Sequence, residues 1–217
     1  MEPAAPAGRG PQGTFIPVPP GSGAGETPAT GGQGTLFHSK ALRLFLERLG
    51  RSPRARALDV GPVCGENIDL LARRLHRLYV CDLFLRLHRL LVAGRPADRL
   101  WAHLDYDQAE FHGILLWDLV DRLEDEQARQ LAGTCRRLLR PGGLLALVSM
   151  PEDRIGSQVH SLVLDQGLGV HPRLQPHLEL ELHPRSNRRV QQLLEPFSVL
   201  QSFIYRNGIR EFVLLRD

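Results

Sequence analysis

The stretch ALDVGPVCGEN, residues 57–67, predicts a buried strand that runs into a glycine turn and then into a helix. Apolar residues flank Asp59, so a carboxylate lies within the strand. Gly61 and Gly65 follow, and glycine accepts backbone conformations and close approaches that are costly for other residues. A carboxylate beside such a turn indicates a binding loop at the end of the strand.

Strand-like and helical patterns alternate on both sides of this loop. Apolar runs that alternate with helices predict a parallel, doubly wound α/β sheet whose strands are covered on both faces. Two further strand-like runs surround Asn207-Gly208, a strong hairpin signal, and bring the predicted sheet to seven strands. The first five are RARALDV (54–60), LYVCD (78–82), RLWAHLD (99–105), HGILLWD (112–118) and GLLALVSM (143–150).

The chain divides into a tail and one predicted domain. Residues 1–34 are rich in Gly, Pro and Ala, which predicts a disordered tail because too little apolar surface is present to offset chain entropy. Residues 35–217 predict a single domain. Its pattern loosens over 151–190, which we expect to be an insertion that covers the substrate, and QVHSLVLDQGLGV (158–170) begins with a helical pattern.

The composition narrows the functional classes. The 27 basic residues are scattered among 24 acidic ones, so we do not expect a nucleic-acid partner. No apolar run approaches the ~18 residues that a membrane span needs, and no signal peptide is visible. Three cysteines without a metal or redox spacing favour a reduced, cytoplasmic compartment.

The glycine loop argues against phosphate-binding ligands. A P-loop requires Lys where Glu66 stands, and a dinucleotide fingerprint requires glycines at Val63 and Glu66. Glu66 would also repel a pyrophosphate. The loop therefore favours a ligand without phosphate and with a cationic part.

Four segments in order, LDVGPVCGEN, YVCDLF, GILLWDLVDRL and LRPGGLLALVS, resemble class I S-adenosylmethionine-dependent methyltransferases over residues 35–217. The resemblance implies an antiparallel C-terminal strand and S-adenosylmethionine as the cofactor. It further implies that Asp59 holds the cationic methionine part and that Gly61 and Gly65 let the backbone pass close to it. The alternative for Asp59 is a buried carboxylate that caps backbone amides.

The same resemblance assigns the nucleoside part of the cofactor. Asp82 would accept hydrogen bonds from the ribose hydroxyls, as an acidic residue does in dinucleotide folds, or it would act only as a helix N-cap. Leu83 would pack on the adenine. Asp105 would accept from the adenine amino group, with Asp107 and Glu110 as alternatives.

Asp118, at the end of the fourth strand, is the candidate catalytic residue, with a plain N-cap as the alternative. WDLV lacks the signature of enzymes that methylate DNA amino groups. Glu152 and Asp153 follow the fifth strand and are the residues that could ligate a metal there, but we expect no metal site. A general base could come from a histidine, since histidine titrates near neutral pH, although surface histidines are the simpler interpretation. Five of the nine histidines are candidates: His112, His160, His171, His177 and His183.

These features predict an S-adenosylmethionine-dependent methyltransferase. The sequence does not identify the acceptor; we expect a small molecule, with a protein or a lipid-linked acceptor as alternatives. The alternative is a catalytically inactive methyltransferase-like domain used for binding or assembly. A nucleotide-sugar or NAD enzyme is a third class, against which the glycine spacing argues.

Overall fold

The computed structural model describes residues 34–151, 156–195 and 197–217. The predicted tail therefore lies outside the described residues except for Gly34, and so do Glu152 and Asp153. The strands are β1 (Phe37–His38), β2 (Arg56–Asp59), β3 (Arg77–Val80), β4 (Phe111–Trp117), β5 (Leu139–Ser149), β6 (Gln158–Leu164), β7 (Gly169–Glu179), β8 (Ser198–Ile204) and β9 (Arg210–Leu215). The α-helices are α1 (Lys40–Leu49), α2 (Gly65–Ala72), α3 (Leu83–Val92), α4 (Asp125–Leu138) and α5 (Asn187–Leu193).

Within the described residues the main sheet has six strands in the order β3-β2-β4-β5-β9-β8. Strands β2, β3, β4 and β5 pair in parallel, whereas β9 pairs antiparallel with both β5 and β8. The predicted α/β fold with a mostly parallel sheet and an antiparallel C-terminal strand is confirmed. The hairpin predicted at Asn207-Gly208 joins β8 to β9, and Gly208 adopts the positive φ of 81° that such a turn requires.

The third strand, predicted at RLWAHLD, is wrong, because residues Ala97–Leu104 form a 3-10 helix, and the described residues therefore give the main sheet six strands instead of the predicted seven. Ala97, Leu100 and Leu104 are buried at spacings of three and four, while Asp98 and Ala102 between them are exposed. That spacing places the apolar residues on one helical face, whereas a strand would turn residues 97, 100 and 104 to both faces.

Strands β1, β7 and β6 form a separate, antiparallel three-stranded sheet, which we call the small sheet. The helical start predicted for residues 158–170 is wrong, since Gln158–Leu164 is a strand. Asn67 explains part of the difference: it lies buried on α2, donates to the carbonyl of Leu162 at 3.0 Å and accepts from the N–H of Leu164 at 2.8 Å. The helix that follows β2 therefore holds the backbone of β6.

The helices begin and end where their sequences dictate. Helix α1 starts at Ser39, whose side chain accepts from the Leu42 N–H, and ends at Gly50. Helix α4 starts with a capping box formed by Glu124 and Gln127. Within the described residues no helix is long and apolar enough to cross a membrane.

Because β2, β3, β4 and β5 run parallel, their carboxyl ends lie at the same edge of the main sheet. The small sheet is held against α2, the helix that follows β2 at this edge.

Candidate functional site

Asp59 is the last residue of β2 and is only 5% exposed. Its Oδ1 accepts hydrogen bonds from the Gly61 N–H at 2.9 Å and from the Trp117 indole N–H at 2.6 Å. Among the described residues, no hydrogen bond to Oδ2 is present. The pKa of Asp59 is raised to about 6, mainly by burial and to a smaller extent by the nearby charge of Asp82, against the lowering effect of the two hydrogen bonds.

The space above Gly61 is filled by Trp117. A Cβ on Gly61 would lie 2.3 Å from Cδ1 and 2.5 Å from Nε1 of the indole. Gly61 does not have a positive φ, so the expectation that its backbone requires glycine is wrong. Glycine is needed at position 61 because a larger side chain would clash with the indole. In this arrangement the indole, not a ligand, lies close to the Gly61 backbone.

Gly65 differs from Gly61. It is the exposed first residue of α2, and a Cβ there would meet nothing within 4 Å. The backbone at Gly65 is therefore exposed at the start of the helix, and the contact with a ligand stays a prediction. Its φ is not positive either.

Asp82 connects three elements. Its Oδ1 accepts from the Leu85 N–H at 2.8 Å and caps α3, and its Oδ2 accepts from the Val63 N–H at 3.1 Å. The N-cap alternative is therefore observed, and the same carboxylate also fixes the glycine loop. Each carboxylate oxygen has a second acceptor position, so these bonds leave room for ribose hydroxyls.

Leu83 and Asp105 lie differently from expectation. Leu83 is fully buried in the core, so in this arrangement its side chain cannot pack on an adenine ring. Asp105 is exposed and follows a 3-10 helix instead of ending a strand. Its neighbour Tyr106 turns inward, where its ring meets Phe111 edge-on at 5.1 Å, and burial raises the pKa of Tyr106 to about 12.

Asp118 lies at the end of β4 and is 2% exposed. Its side chain makes no N-cap hydrogen bond, so that alternative is wrong. Its Oδ2 instead accepts from Nε of Arg122 at 3.2 Å, and both side chains of this ion pair are buried. Burial raises the pKa of Asp118, and the Arg122 charge opposes that effect.

Arg122 ties this ion pair to the small sheet. Its guanidinium donates to the carbonyl of Gln158 at the start of β6 at 3.4 Å. It also donates to the carbonyls of Gly156 at 2.8 Å and Leu180 at 3.0 Å, which lie just outside β6 and β7. Next to it, Asp121 is 1% exposed and accepts from the Met150 N–H at 3.0 Å, and burial raises its pKa to about 6. Both residues lie in the 3-10 helix Leu119–Arg122.

Sequence reasoning missed Trp117, Asp121 and Arg122 as parts of the site. The spacing of Asp118, Asp121 and Arg122 at i, i+3 and i+4 was the signal, since these positions share one helical face. Trp117 offered none, because its contact with Asp59 joins positions 58 residues apart.

The histidines are dispersed. His112 bonds Arg56 and Arg140, and His171 bonds Asp165. His160 lies on β6 near Asp118. Over the described ranges, no three His, Cys, Asp or Glu side chains are grouped to hold a metal ion.

Comparison with known proteins gives a fold but no close relative. No family model and no curated protein sequence matches the chain. Among solved structures, it is similar to an S-adenosylmethionine-dependent methyltransferase from Clostridium acetobutylicum ATCC 824, with 10% identity and a TM-score of 0.53 over 80% of this chain and 88% of that chain.

Two others extend the likeness. CalS10, an amino pentose methyltransferase from Micromonospora echinaspora involved in calicheamicin biosynthesis and solved with S-adenosylmethionine, is 18% identical, with a TM-score of 0.50 over 83% of this chain and 91% of that chain. An S-adenosylmethionine-dependent methyltransferase from Methanosarcina mazei is 13% identical, with a TM-score of 0.50 over 82% and 97%. The chain therefore has the Rossmann-like fold of class I methyltransferases.

Proposed function

We propose that this chain is an S-adenosylmethionine-dependent methyltransferase with a small-molecule acceptor. The observation that carries the proposal is Asp59: a buried carboxylate at the end of β2, with Oδ1 bonded to the glycine loop and Oδ2 without a partner among the described residues. Ligands of doubly wound sheets bind beyond the carboxyl ends of the strands, where this oxygen lies. An ammonium group would satisfy it.

The residues around Asp59 fit the other parts of this cofactor. Asp82 retains acceptor positions for two ribose hydroxyls, and Gly65 leaves the backbone open next to them. When bound, the cofactor supplies a methyl group on a sulfonium, so the protein needs mainly to align the acceptor and exclude water. Asp105 remains the proposed partner of the adenine amino group because it is exposed and follows the 3-10 helix that stands in place of the third strand.

The small sheet supports an acceptor of limited size. It is fastened to α2 by Asn67 and by an ion pair in which Arg173 on β7 approaches Glu66 to 2.5 Å. Arg122 donates to Gln158 at the start of β6 and to Gly156 and Leu180, which adjoin the sheet. A cover held at both sides favours a small molecule over a macromolecule, and CalS10, which shares the fold, methylates an amino pentose by its name.

Calorimetric titration with S-adenosylmethionine, S-adenosylhomocysteine and NAD tests the proposal. We expect both adenosyl ligands to bind and NAD not to bind, because Glu66 lies in the first turn of α2, where a pyrophosphate would sit. Asp59→Asn should weaken S-adenosylmethionine about 10- to 150-fold, the effect of losing one charged hydrogen bond of about 1.5–3 kcal/mol. Asp69→Asn, on the exposed face of α2, is the matched control. Binding of NAD alone would refute the proposal.

One observation favours a second candidate, a catalytically inactive binding domain. The Trp117 indole occupies the space above Gly61 and donates to Oδ1 of Asp59, the oxygen next to the one proposed for the ligand. Mass spectrometry of reactions with S-adenosylmethionine separates the two: binding without any S-adenosylhomocysteine formed over a panel of amines and alcohols would support the inactive domain.

A further inference from the structure

Trp117 ends β4 in a backbone conformation that is unusual for a bulky residue. Its φ is 53°, in the left-handed region that is costly for side chains of this size. The register of β4 against β5 also shifts here: Leu115 pairs with Ala146, and Trp117 pairs with the very next residue. Leu116 is therefore an extra residue on β4, and bulges of this kind re-aim a neighbouring side chain. Strained backbone is typical of functional sites.

The indole of Trp117 reaches Asp59 on the neighbouring strand. Strand β2 pairs with β4 so that Asp59 lies opposite Leu115, two residues before Trp117. The indole N–H donates to Oδ1 of Asp59 at 2.6 Å, and the Gly61 N–H donates to the same oxygen at 2.9 Å. Both bonds stabilise the ionised carboxylate, and both use one oxygen. Among the described residues, Oδ2 is left without a hydrogen bond.

The indole has little room to move. Trp117 is 7% exposed, and it borders a crevice of about 20 Å³ between the sheet and α1, which has room for about one water molecule. Indole atoms lie within 2.5 Å of the place that a Cβ on Gly61 would occupy. The crevice is too small to receive the ring. These contacts favour a fixed support for Asp59 over a side chain that swings aside when a ligand binds.

We propose that Trp117 is a positioning residue for the cofactor. Its N–H occupies Oδ1 of Asp59, so that the carboxylate stays charged and presents Oδ2 to the ammonium group of S-adenosylmethionine. This role rests on the proposed function, and Trp117 acts through Asp59. The indole above Gly61 thus supports the site and does not obstruct it.

The pH dependence of cofactor binding follows from this arrangement. An ammonium group pairs with Asp59 only when the carboxyl is ionised. The pKa of Asp59 is raised to about 6 by burial and, to a smaller extent, by the charge of Asp82, against the two hydrogen bonds to Oδ1. Affinity should therefore be lost as the pH falls through about 6. Without the indole N–H, the loss should begin about one pH unit higher, because that hydrogen bond stabilises the charged form.

Calorimetric titration of S-adenosylhomocysteine, which carries the amino-acid part of the cofactor, tests the role of Trp117. Trp117→Phe keeps an aromatic ring and removes the N–H donor. It should bind this ligand about fivefold more weakly at about pH 6 and nearly equally at about pH 8, the ratio of ionised fractions for pKa values of about 6 and about 7. 5′-Methylthioadenosine, which lacks the amino-acid part, should bind it like the wild type. Trp101→Phe is the matched control, since the Trp101 N–H donates to Gln130 instead, and it should change neither affinity.

A double substitution shows whether Trp117 acts through Asp59. Asp59→Asn cannot ionise, so Trp117→Phe should cause no further loss of affinity in that background. A purely structural role would cause the same loss in both backgrounds. Tighter binding by Trp117→Phe, a pH midpoint that does not move, or an equal loss in the Asp59→Asn background would overturn the proposal.

A measurement without a Trp117 variant keeps the test valid if Trp117→Phe does not fold. In Trp101→Phe, Trp117 is the only tryptophan, so its nitrogen-15 indole signal is assigned directly. This signal should titrate near pH 6 with Asp59 and stop titrating there when S-adenosylhomocysteine is bound. A signal that does not titrate, or that titrates equally with the ligand bound, would overturn the proposal.

The same titrations separate this outcome from failure of the proposed function. If the wild type binds no S-adenosylhomocysteine, the cofactor proposal itself fails. If the wild type binds it and Trp117→Phe changes neither the affinity nor the pH midpoint, only the role of Trp117 fails.

Discussion

Gly61→Ala tests how the binding loop is packed. The added Cβ would lie 2.3 Å from Cδ1 of Trp117, far inside van der Waals contact, so the indole must move. Trp117 is 7% exposed and ends β4 at a positive φ of 53°, so it has little room to shift. Its displacement breaks the 2.6 Å hydrogen bond to Asp59.

The magnitude follows from these two effects. Overpacking costs about 1–3 kcal/mol, and losing a hydrogen bond to a charged group about 1.5–3 kcal/mol. Alanine returns about 0.4–1 kcal/mol by restricting the unfolded chain. We therefore expect Gly61→Ala to lower the free energy of unfolding by about 2–5 kcal/mol.

Guanidinium denaturation followed by circular dichroism measures this loss. Gly65→Ala is the matched control, since its Cβ meets nothing within 4 Å at the start of α2, and we expect it to be neutral or slightly stabilising. In a Trp117→Ala background the cost of Gly61→Ala should largely disappear. Equal effects of the two glycine substitutions, or an undiminished cost in that background, would refute the steric explanation.

Three further predictions concern stability. Asp82→Ala should cost about 1–2 kcal/mol in thermal or chemical unfolding, because it removes the cap of α3 and the bond to the glycine loop, and a wild-type midpoint would contradict this. Arg122→Met should cost about 3–5 kcal/mol by leaving Asp118 buried without its ion pair, whereas exposed Arg129→Met should change stability by less than about 0.5 kcal/mol; equal effects would show that the buried pair contributes nothing. The pKa of Asp59 is about 6 in the folded chain, against the ordinary value of 3.8 for an aspartate in the unfolded chain. The free energy of unfolding of the wild type, measured relative to Asp59→Asn, should therefore be highest below about pH 4 and fall by up to ~3 kcal/mol as the pH rises to about 6. A difference that stays constant from pH 4 to pH 7 would contradict this.

Local patterns predicted much of the fold. The loop at residues 57–67, the helix stops and the hairpin at Asn207-Gly208 all depend on neighbouring residues, and the structure contains them. The strand predicted at RLWAHLD is wrong because a short apolar run is compatible with a strand as well as with a helix. The small sheet was missed because its contacts are distant in sequence: Asn67 meets β6 95–97 residues later.

The residues of the candidate site also fall into those that belong to local motifs and those that only the folded packing brings together. The positions of Asp59, Asp82 and Gly65 at or just after strand ends could be predicted because each belongs to a single local motif, and their cofactor contacts stay predictions. The Trp117 indole above Gly61 and the carbonyls that receive Arg122 come from other parts of the chain, and only the folded packing brings them together. Burial then changed the expectation for Asp118, which forms an internal ion pair where an exposed catalytic residue or a cap was expected.

Proton release on binding S-adenosylmethionine tests the central claim, that Asp59 receives the ammonium of the cofactor. At pH 6 the carboxyl, with a pKa of about 6, is half protonated, and pairing with an ammonium should release about 0.5 proton. Calorimetry in buffers of different ionisation enthalpy measures this number. The account predicts release by the wild type, none by Asp59→Asn, and none with 5′-methylthioadenosine, which lacks the amino-acid part. Equal proton release and affinity for the wild type and Asp59→Asn would contradict it.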